Sequence, residues 1–237
     1  MSKSAMVMAA GLGTRMLPLT EHRPKPLVEV GGRALIQYSL DKLREAGVAR
    51  IAVNIHYLPE MMEAYLVSDA GDFDLHISDE RELLMETGGG LIKAQPHLPE
   101  EPFYCVNSDN IWTDDEVPSL SKMAGMWDGE QMDALLLLVP HAKAHNHSGP
   151  GDFSLNDAGR LVRRGDAESA PYVFSGIQLI SHRLLRNPPQ GPFSTNILWD
   201  RALEDGRLFG LVHSGDWFDI GHPGAIAPTE ERLLTHG

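Results

Sequence analysis

Short apolar runs separated by polar, glycine-containing breaks recur along the first 140 residues. Residues 5–10, 51–55, 75–78, 103–107 and 135–139 have strand length, and none shows helical spacing. Leu35, Ile36, Leu40 and Leu43 fall on one helical face, and Gly47 supplies a C-terminal stop. A second helix is expected from Pro59 through Leu66, because proline suits a first turn, and a short third one over 90–95. This alternation predicts an α/β fold whose largely parallel sheet is covered by helices. After residue 150 the rhythm changes. Residues 153–155 and 161–163 flank Asn156-Asp157-Ala158-Gly159 and read as a hairpin. A strand over 172–180, a helix near 195–204 and a strand over 208–213 follow. With no internal repeat or linker, the expectation is one domain over 1–237, its second part (about 151–237) elaborating the first (about 1–150).

The first apolar run delivers Ala10-Gly11-Leu12-Gly13-Thr14-Arg15, followed by Pro24-Lys25-Pro26. Glycines let a backbone approach a phosphate closely and turn its N–H groups inward. Arg15 and Lys25 then offer charge-assisted hydrogen bonds to phosphate oxygens. A Walker-type loop is excluded, because no lysine and hydroxyl residue follow at the required spacing. A dinucleotide-binding turn is excluded too: Arg15 stands near the place of its third glycine, and Pro18, Pro24 and Pro26 forbid the long helix it opens. Proline biases the residue before it towards extended backbone, so Lys25, with a proline on each side, is positioned at low entropic cost. The same residues also suit an ordinary surface turn with solvated cations.

A second chemical element is Val106-Asn107-Ser108-Asp109-Asn110, where an acid follows a parallel strand at the end that binds ligands in such folds. Asp109 offers hard oxygens suited to Mg²⁺, which takes one or two carboxylates together with substrate phosphates. A strand-ending Asx turn is the alternative.

The stretch AAGLGTRMLPLTEHRPKPLVEVGGRALIQYSL resembles the N-terminal signature of sugar-1-phosphate nucleotidylyltransferases, with weaker echoes as far as Gly221. The resemblance implies a Rossmann-like α/β fold of the nucleotide-diphospho-sugar transferase type, with a mixed, mostly parallel central sheet flanked by helices. It implies a nucleotide-binding first half and a sugar-binding second half. By resemblance, Ala10, Gly11, Gly13, Thr14, Arg15 and Lys25 hold a nucleoside triphosphate, and Arg15, Lys25 and Asp109 are the catalytic set. Asp216-Trp217-Phe218-Asp219-Ile220-Gly221 is similar to a Trp-x-Asp-x-Gly segment, which makes Asp219 the second Mg²⁺ ligand; Asp216 is expected to face solvent. The glycines of Glu86-Thr87-Gly88-Gly89-Gly90 would pass over the base, with Gly88 and Gly89 reading a pyrimidine edge through their backbone. That loop resembles the one in N-acetylmuramate-1-phosphate uridylyltransferases, as does the order Gly151-Asp152-Phe153-Ser154 and Phe174-Ser175-Gly176-Ile177. Glu86, Asn107, Asp152 and Gly176 are then the sugar-side candidates. The family's Glu-Lys-Pro motif, whose lysine binds the sugar phosphate, is missing; its nearest counterpart is Leu161-Val162-Arg163-Arg164, where an arginine is a possible substitute.

The implied reaction moves a nucleoside monophosphate, from UTP by this resemblance, to a sugar 1-phosphate and releases pyrophosphate, as in cell-wall sugar recycling. Mannose-1-phosphate guanylyl transfer and a catalytically inactive nucleotide-sensing subunit of the same fold are the alternatives. Composition narrows the partners. A net charge of −13 argues against a nucleic-acid surface or an anionic membrane, which leaves small-molecule substrates and an oligomeric state that is unreadable. It also conflicts with anionic substrates, unless cations concentrate in one cleft or metal ions mediate binding. The single cysteine, Cys105, excludes an internal disulfide and fits a reducing cytosol. The N-terminal apolar run is too short for a signal peptide, so a cytoplasmic enzyme is expected. His141, His145 and His147 lie among Asn146, Ser148, Gly149 and Pro150, which suits a polar loop closing over the sugar better than a zinc site.

Overall fold

The structure, a computed structural model, describes residues 2–235. The first part runs β1 (Ser4–Met8), β2 (Glu29–Val30), β3 (Arg33–Ala34), α1 (Leu35–Glu45), β4 (Arg50–Ile55), α2 (Pro59–Asp69) and β5 (Asp74–Asp79). It continues through α3 (Glu86–Ala94), β6 (Phe103–Asn107), β7 (Asn110–Trp112), α4 (Ser119–Met126) and β8 (Ala134–Pro140). The second part adds β9 (Ala144–His145), β10 (Phe153–Leu155), β11 (Leu161–Arg163), β12 (Tyr172–Ile180), α5 (Asn196–Glu204), β13 (Leu208–Val212), β14 (Trp217–Asp219) and α6 (Ile226–Thr235).

Nine strands form one mixed sheet in the order β11-β10-β12-β6-β1-β4-β5, with β8 joining β12 to β13. Strands β6, β1, β4 and β5 are parallel, and β12 runs antiparallel to both β6 and β8. From β1 the chain moves outwards to β4 and β5 and then returns to β6 on the other side. The crevice beyond the carboxyl ends of β1 and β6 is therefore a topological switch point, the place where open α/β sheets bind ligands. Alternate residues of β1 face opposite ways: Ala5 and Val7 pack with Leu40, Leu43, Met62 and Leu66 of α1 and α2. Met6 packs with Leu91 of α3 and Leu198 of α5 on the other face.

Two local features shape the crevice. Met16, Val28, Ile111, Phe218 and Ile220 form a separate small core that ties the loop after β1 to the β7–β14 ribbon. In β12 the pairing shifts register between Phe174 and Gln178, around Gly176 at φ +84°; such bulges bend a strand and re-aim its residues.

One expected boundary moves. The helix expected over 90–95 begins at Glu86, so its first turns contain Gly88, Gly89 and Gly90, all buried. Glycine lowers helix propensity by about 1 kcal/mol per residue, but these three lie where larger side chains do not fit. A Cβ on Gly88 would strike the Phe193 ring, and one on Gly90 would come within 3.0 Å of both Asn54 and Glu80. Among the described residues, no helix is long and apolar enough to cross a membrane.

Candidate functional site

Two cavities of ≈ 390 Å³ each open at the switch point, and Met8, Thr87, Asn107, Asp109 and Ser194 line both. They form one cleft with Asp109 at its waist. Ala9, Ala10, Gly11, Lys25 and Pro26 wall the first cavity on one side, and Leu84, Glu86 and Thr87 on the other. The second lies beneath β12 and α5, between Arg15, His147, Trp217 and Asp219 at one end and Phe153, Phe174, Trp199 and Arg163 at the other.

The glycine turn is built from both sides. A Cβ on Gly13, which sits at φ +65°, would fall 2.9 Å from Lys25 Cβ, so glycine lets the turn fold onto the Pro-Lys-Pro segment. The Thr20 hydroxyl donates to the Gly13 carbonyl at 2.8 Å. Lys25 is buried, and its Nζ donates to Asp109 Oδ2 at 2.6 Å. Met16, anchored in the small core, carries its neighbour Arg15 towards Gly221. A Cβ on Gly221 would lie 3.0 Å from Asp219 Oδ1 and 3.3 Å from Arg15 Nη1. Arg15 thus stands with the acid pair in the second cavity rather than beside Gly11 in the first. Thr14 is exposed and lines neither cavity.

Asp109 and Asp219, 110 positions apart in sequence, meet through the ribbon: Asp219 pairs with Asn110 across the antiparallel β7–β14 ladder. Opposed residues in such a ladder sit about 4.5–5.5 Å apart at Cα, which brings the two carboxylates to one end of the second cavity. Among the described residues no cluster of three or more His, Cys, Asp or Glu forms a metal centre. A pair of hard carboxylates beside space for phosphates is the donor set that suits Mg²⁺, which keeps its other positions for water and substrate oxygens. The cleft is not cationic either. Arg15, Lys25 and Arg163 line it against Glu86, Asp109, Asp152 and Asp219. Anionic substrates therefore fit this cleft when a divalent cation offsets the carboxylates.

Other candidates play parts that the sequence pattern did not reveal. The N–H groups of Gly88 and Gly89 donate to the Phe193 carbonyl at 2.8 and 3.2 Å, and neither residue lines a cavity. Their donors brace α3 against the segment before α5 instead of facing the cleft. Glu86 does line the first cavity, at φ +58°. Gly176 is required by crowding, since a Cβ there would strike Asn110 Nδ2 and come within 2.8 Å of Asn107 Nδ2. Asp152 lines the second cavity and accepts from the Phe174 N–H at 2.8 Å. His147 faces Asp219 at 3.8 Å, while His141 is bonded to the Gly149 carbonyl at 2.7 Å. Asp216, expected to face solvent, instead accepts from His145 at 2.8 Å.

Three features went unread. Asn54 Oδ1 accepts from Ala9 N at 2.7 Å, and its amide donates to the fully buried Glu80 at 2.9 Å. The other oxygen of Glu80 accepts from Met85 N at 3.0 Å, so one buried carboxylate holds both walls of the first cavity. The only signal was a polar Asn54 within an otherwise apolar strand. Ser194, Thr195 and Asn196 at the start of α5 also line the second cavity. Cys105 forms part of its floor, where burial pushes the thiol up to about 12 and keeps it neutral.

Residues 4–151 match the nucleotidyl transferase family. The chain is 42% identical over 98% of its length to an N-acetylmuramate alpha-1-phosphate uridylyltransferase of Caulobacter vibrioides, covering 97% of that protein. It is 33% identical to the enzyme of the same name from Neisseria meningitidis, over 92% of each chain. The fold matches the UTP-bound UGPase from Acinetobacter baumannii with a TM-score of 0.80 at 17% identity, covering 100% of this chain and 95% of that one. A cleft built from the loop after β1 and the acid after β6, together with these whole-length similarities, places the chain in the nucleotidyl transferase family.

Proposed function

We propose that this protein transfers the uridylyl group of UTP to N-acetylmuramate 1-phosphate and releases pyrophosphate. The observation that carries the reading is the similarity to the Caulobacter vibrioides uridylyltransferase, which runs through both halves of the cleft at 42% identity. The geometry supports it with two cavities, one for each substrate, that meet at Asp109.

In this reading UTP lies in the first cavity, its phosphates reaching past Ala10 and Gly11 to Lys25, with Leu84, Glu86 and Thr87 as the facing wall. The acceptor lies in the second. One oxygen of its phosphate attacks the α-phosphorus in line, a new P–O bond forms, and the bond to the bridging oxygen of pyrophosphate breaks with its electron pair. The attacking phosphate is already anionic near neutral pH, so no general base or covalent intermediate is needed. Catalysis rests on positioning and on neutralising charge. Asp109 and Asp219 would hold Mg²⁺, which when bound supplies Lewis-acid neutralisation of the phosphate oxygens. Lys25 exchanges Asp109 for a phosphate oxygen, and Arg15 stands where the two phosphates converge.

A matrix of nucleoside triphosphates against sugar 1-phosphates, followed by pyrophosphate release, tests this. The highest kcat/KM is expected for UTP with N-acetylmuramate 1-phosphate. Preference for GTP with mannose 1-phosphate would replace the reading. Nucleotide binding with no pyrophosphate release from any pair would make the chain a nucleotide-sensing subunit.

A further inference from the structure

The acceptor cavity has a cation at each end. Arg15 stands beside Asp219, where the reacting phosphates would meet, and among the described residues Arg163 is the other lysine or arginine in the lining. The separation follows from strand register. Gly176, beside Asn107 and Asn110, marks the reacting end. Arg163 pairs with Phe153 across β10–β11, and Phe153 pairs with Tyr172, four residues up β12 from Gly176. At about 3.3 Å per residue, four residues are roughly 13 Å of strand, and two further ladders lie between β12 and β11. This register sets Arg163 apart from the end of the cavity where Gly176, Asn107 and Asn110 meet.

The distal end sets one fixed cation among aromatic faces, with Asp152 and Asn196 in the same lining. The Arg163 guanidinium lies 5.2 Å above the Phe153 ring and 5.9 Å from that of Trp199. Phe174 meets Trp199 edge to face at 4.8 Å. Asp200 takes the Nε and Nη2 side of the guanidinium at 3.0 and 2.7 Å, and Asn196 Oδ1 takes Nη1 at 3.1 Å. These contacts lock the plane of the cation and leave an N–H on Nη1. Asn196 Oδ1 accepts from both Nη1 and Nη2 of Arg163 at 3.1 Å, and Asn196 lines the same cavity. Asp200 is 57% exposed, so it orients the arginine from the solvent side and is not part of the cavity wall.

We infer that Arg163, with Asn196, reads a second anionic group on the acceptor, the carboxylate carried on the far side of the sugar ring from its 1-phosphate. This rests on the proposed function: N-acetylmuramate carries such a carboxylate in its lactyl ether, whereas N-acetylglucosamine has a hydroxyl at that position. Arg163 is then a specificity residue that separates the acidic sugar from its neutral counterpart. A charge-assisted hydrogen bond of this kind is worth about ten- to a hundredfold in relative kcat/KM.

The test compares wild type, Arg163→Gln and Arg163→Lys with two acceptors, N-acetylmuramate 1-phosphate and N-acetylglucosamine 1-phosphate, at saturating UTP. The readouts are the ratio of the two kcat/KM values and the KM for UTP. Arg163→Gln is expected to reduce the ratio at least tenfold, mainly through the KM of the acidic acceptor, with Arg163→Lys intermediate and the KM for UTP unmoved. If Arg163→Gln keeps the wild-type ratio, or if both acceptors fall together, Arg163 only braces α5 and the inference is overturned while the proposed function stands. If wild type itself shows no preference for the acidic acceptor, the proposed function falls and the inference with it.

Discussion

At the scale of single residues, the proposed chemistry turns on the Lys25–Asp109 pair. Its side chains are 10% and 30% exposed at 2.6 Å, so neither partner is freely hydrated and each offsets the other's desolvation. The Pro-Lys-Pro segment holds the lysine with little entropy left to lose. Asp109→Asn removes the carboxylate shared by the two cavities, and Lys25→Ala removes the cation that would meet the triphosphate. Each is expected to lower kcat by about two to three orders of magnitude, the range for removing one charged group that acts on a transition state. Circular dichroism should show the fold intact in both variants. Near-wild-type pyrophosphate release by both would remove Lys25 and Asp109 from the mechanism. Gly176→Ala asks a different question. The new methyl would meet Asn107 and Asn110 at a left-handed backbone position. A loss of about 1–3 kcal/mol is expected, read as a lower urea midpoint at unchanged m-value.

At the scale of elements, the two walls of the first cavity, the one proposed for the nucleotide, are one mechanical unit because Glu80 and Asn54 join them. Glu80→Gln keeps the shape but turns one acceptor into a donor that faces Asn54 or Met85, leaving a buried N–H without a partner. A cost of about 1–3 kcal/mol is expected, and the KM for UTP should rise more than the KM for the acceptor sugar. Equal changes in both would mean that the network supports the fold and does nothing particular for the nucleotide wall. This coupling also shows where reading the sequence stopped. Strands β1, β4, β6, β8 and β12 were legible because buried apolar residues dominate each, even where Asn54 interrupts β4 and Ser175, Gly176 and Gln178 interrupt β12. The β7–β14 ribbon was not: two three-residue strands 105 positions apart carry no periodicity, and only their pairing brings Asp219 to Asp109. The start of α3 was hidden by three glycines, whose weak propensity is overridden by packing against Phe193, Asn54 and Glu80. Arg163 could be read in the sequence only as a stand-in for the missing phosphate-binding lysine, because its place against the Phe153 and Trp199 rings depends on two ladders and on α5.

At the scale of the whole molecule, stability should depend on pH through a histidine outside the cleft lining. His213 follows β13 and joins the sheet, α4 and the β14 ribbon. Its N–H donates to the Leu138 carbonyl at 2.7 Å, Nδ1 meets the Ser119 hydroxyl at 2.9 Å, and Nε2 meets the Asp216 carbonyl at 3.2 Å. A carbonyl can only accept, so Nε2 carries a proton; burial disfavours a second one, which makes Nδ1 the acceptor from the Ser119 hydroxyl in the neutral ring. Burial pushes the imidazole below its ordinary range and outweighs the opposing influence of the Asp216 carbonyl, Asp114 and Asp115. The unfolded chain therefore binds this proton more readily than the folded one. The contribution of His213 is complete above an unfolded pKa of about 6.5 and declines as pH falls below it, by at most about 1.4 kcal/mol per pH unit. Asp114 acts at lower pH. Burial alone would raise its carboxyl, but the Ser119 backbone N–H at 2.8 Å and Lys42 at 2.9 Å help hold it below the usual range. Urea unfolding at pH 7.5, 6.5 and 5.5 should thus show wild type losing stability on the acid side. His213→Gln, which keeps a donor towards Asp216 without a titratable ring, should lower stability at pH 7.5 but flatten the fall between 6.5 and 5.5. An unchanged slope in that variant would assign the loss to other groups.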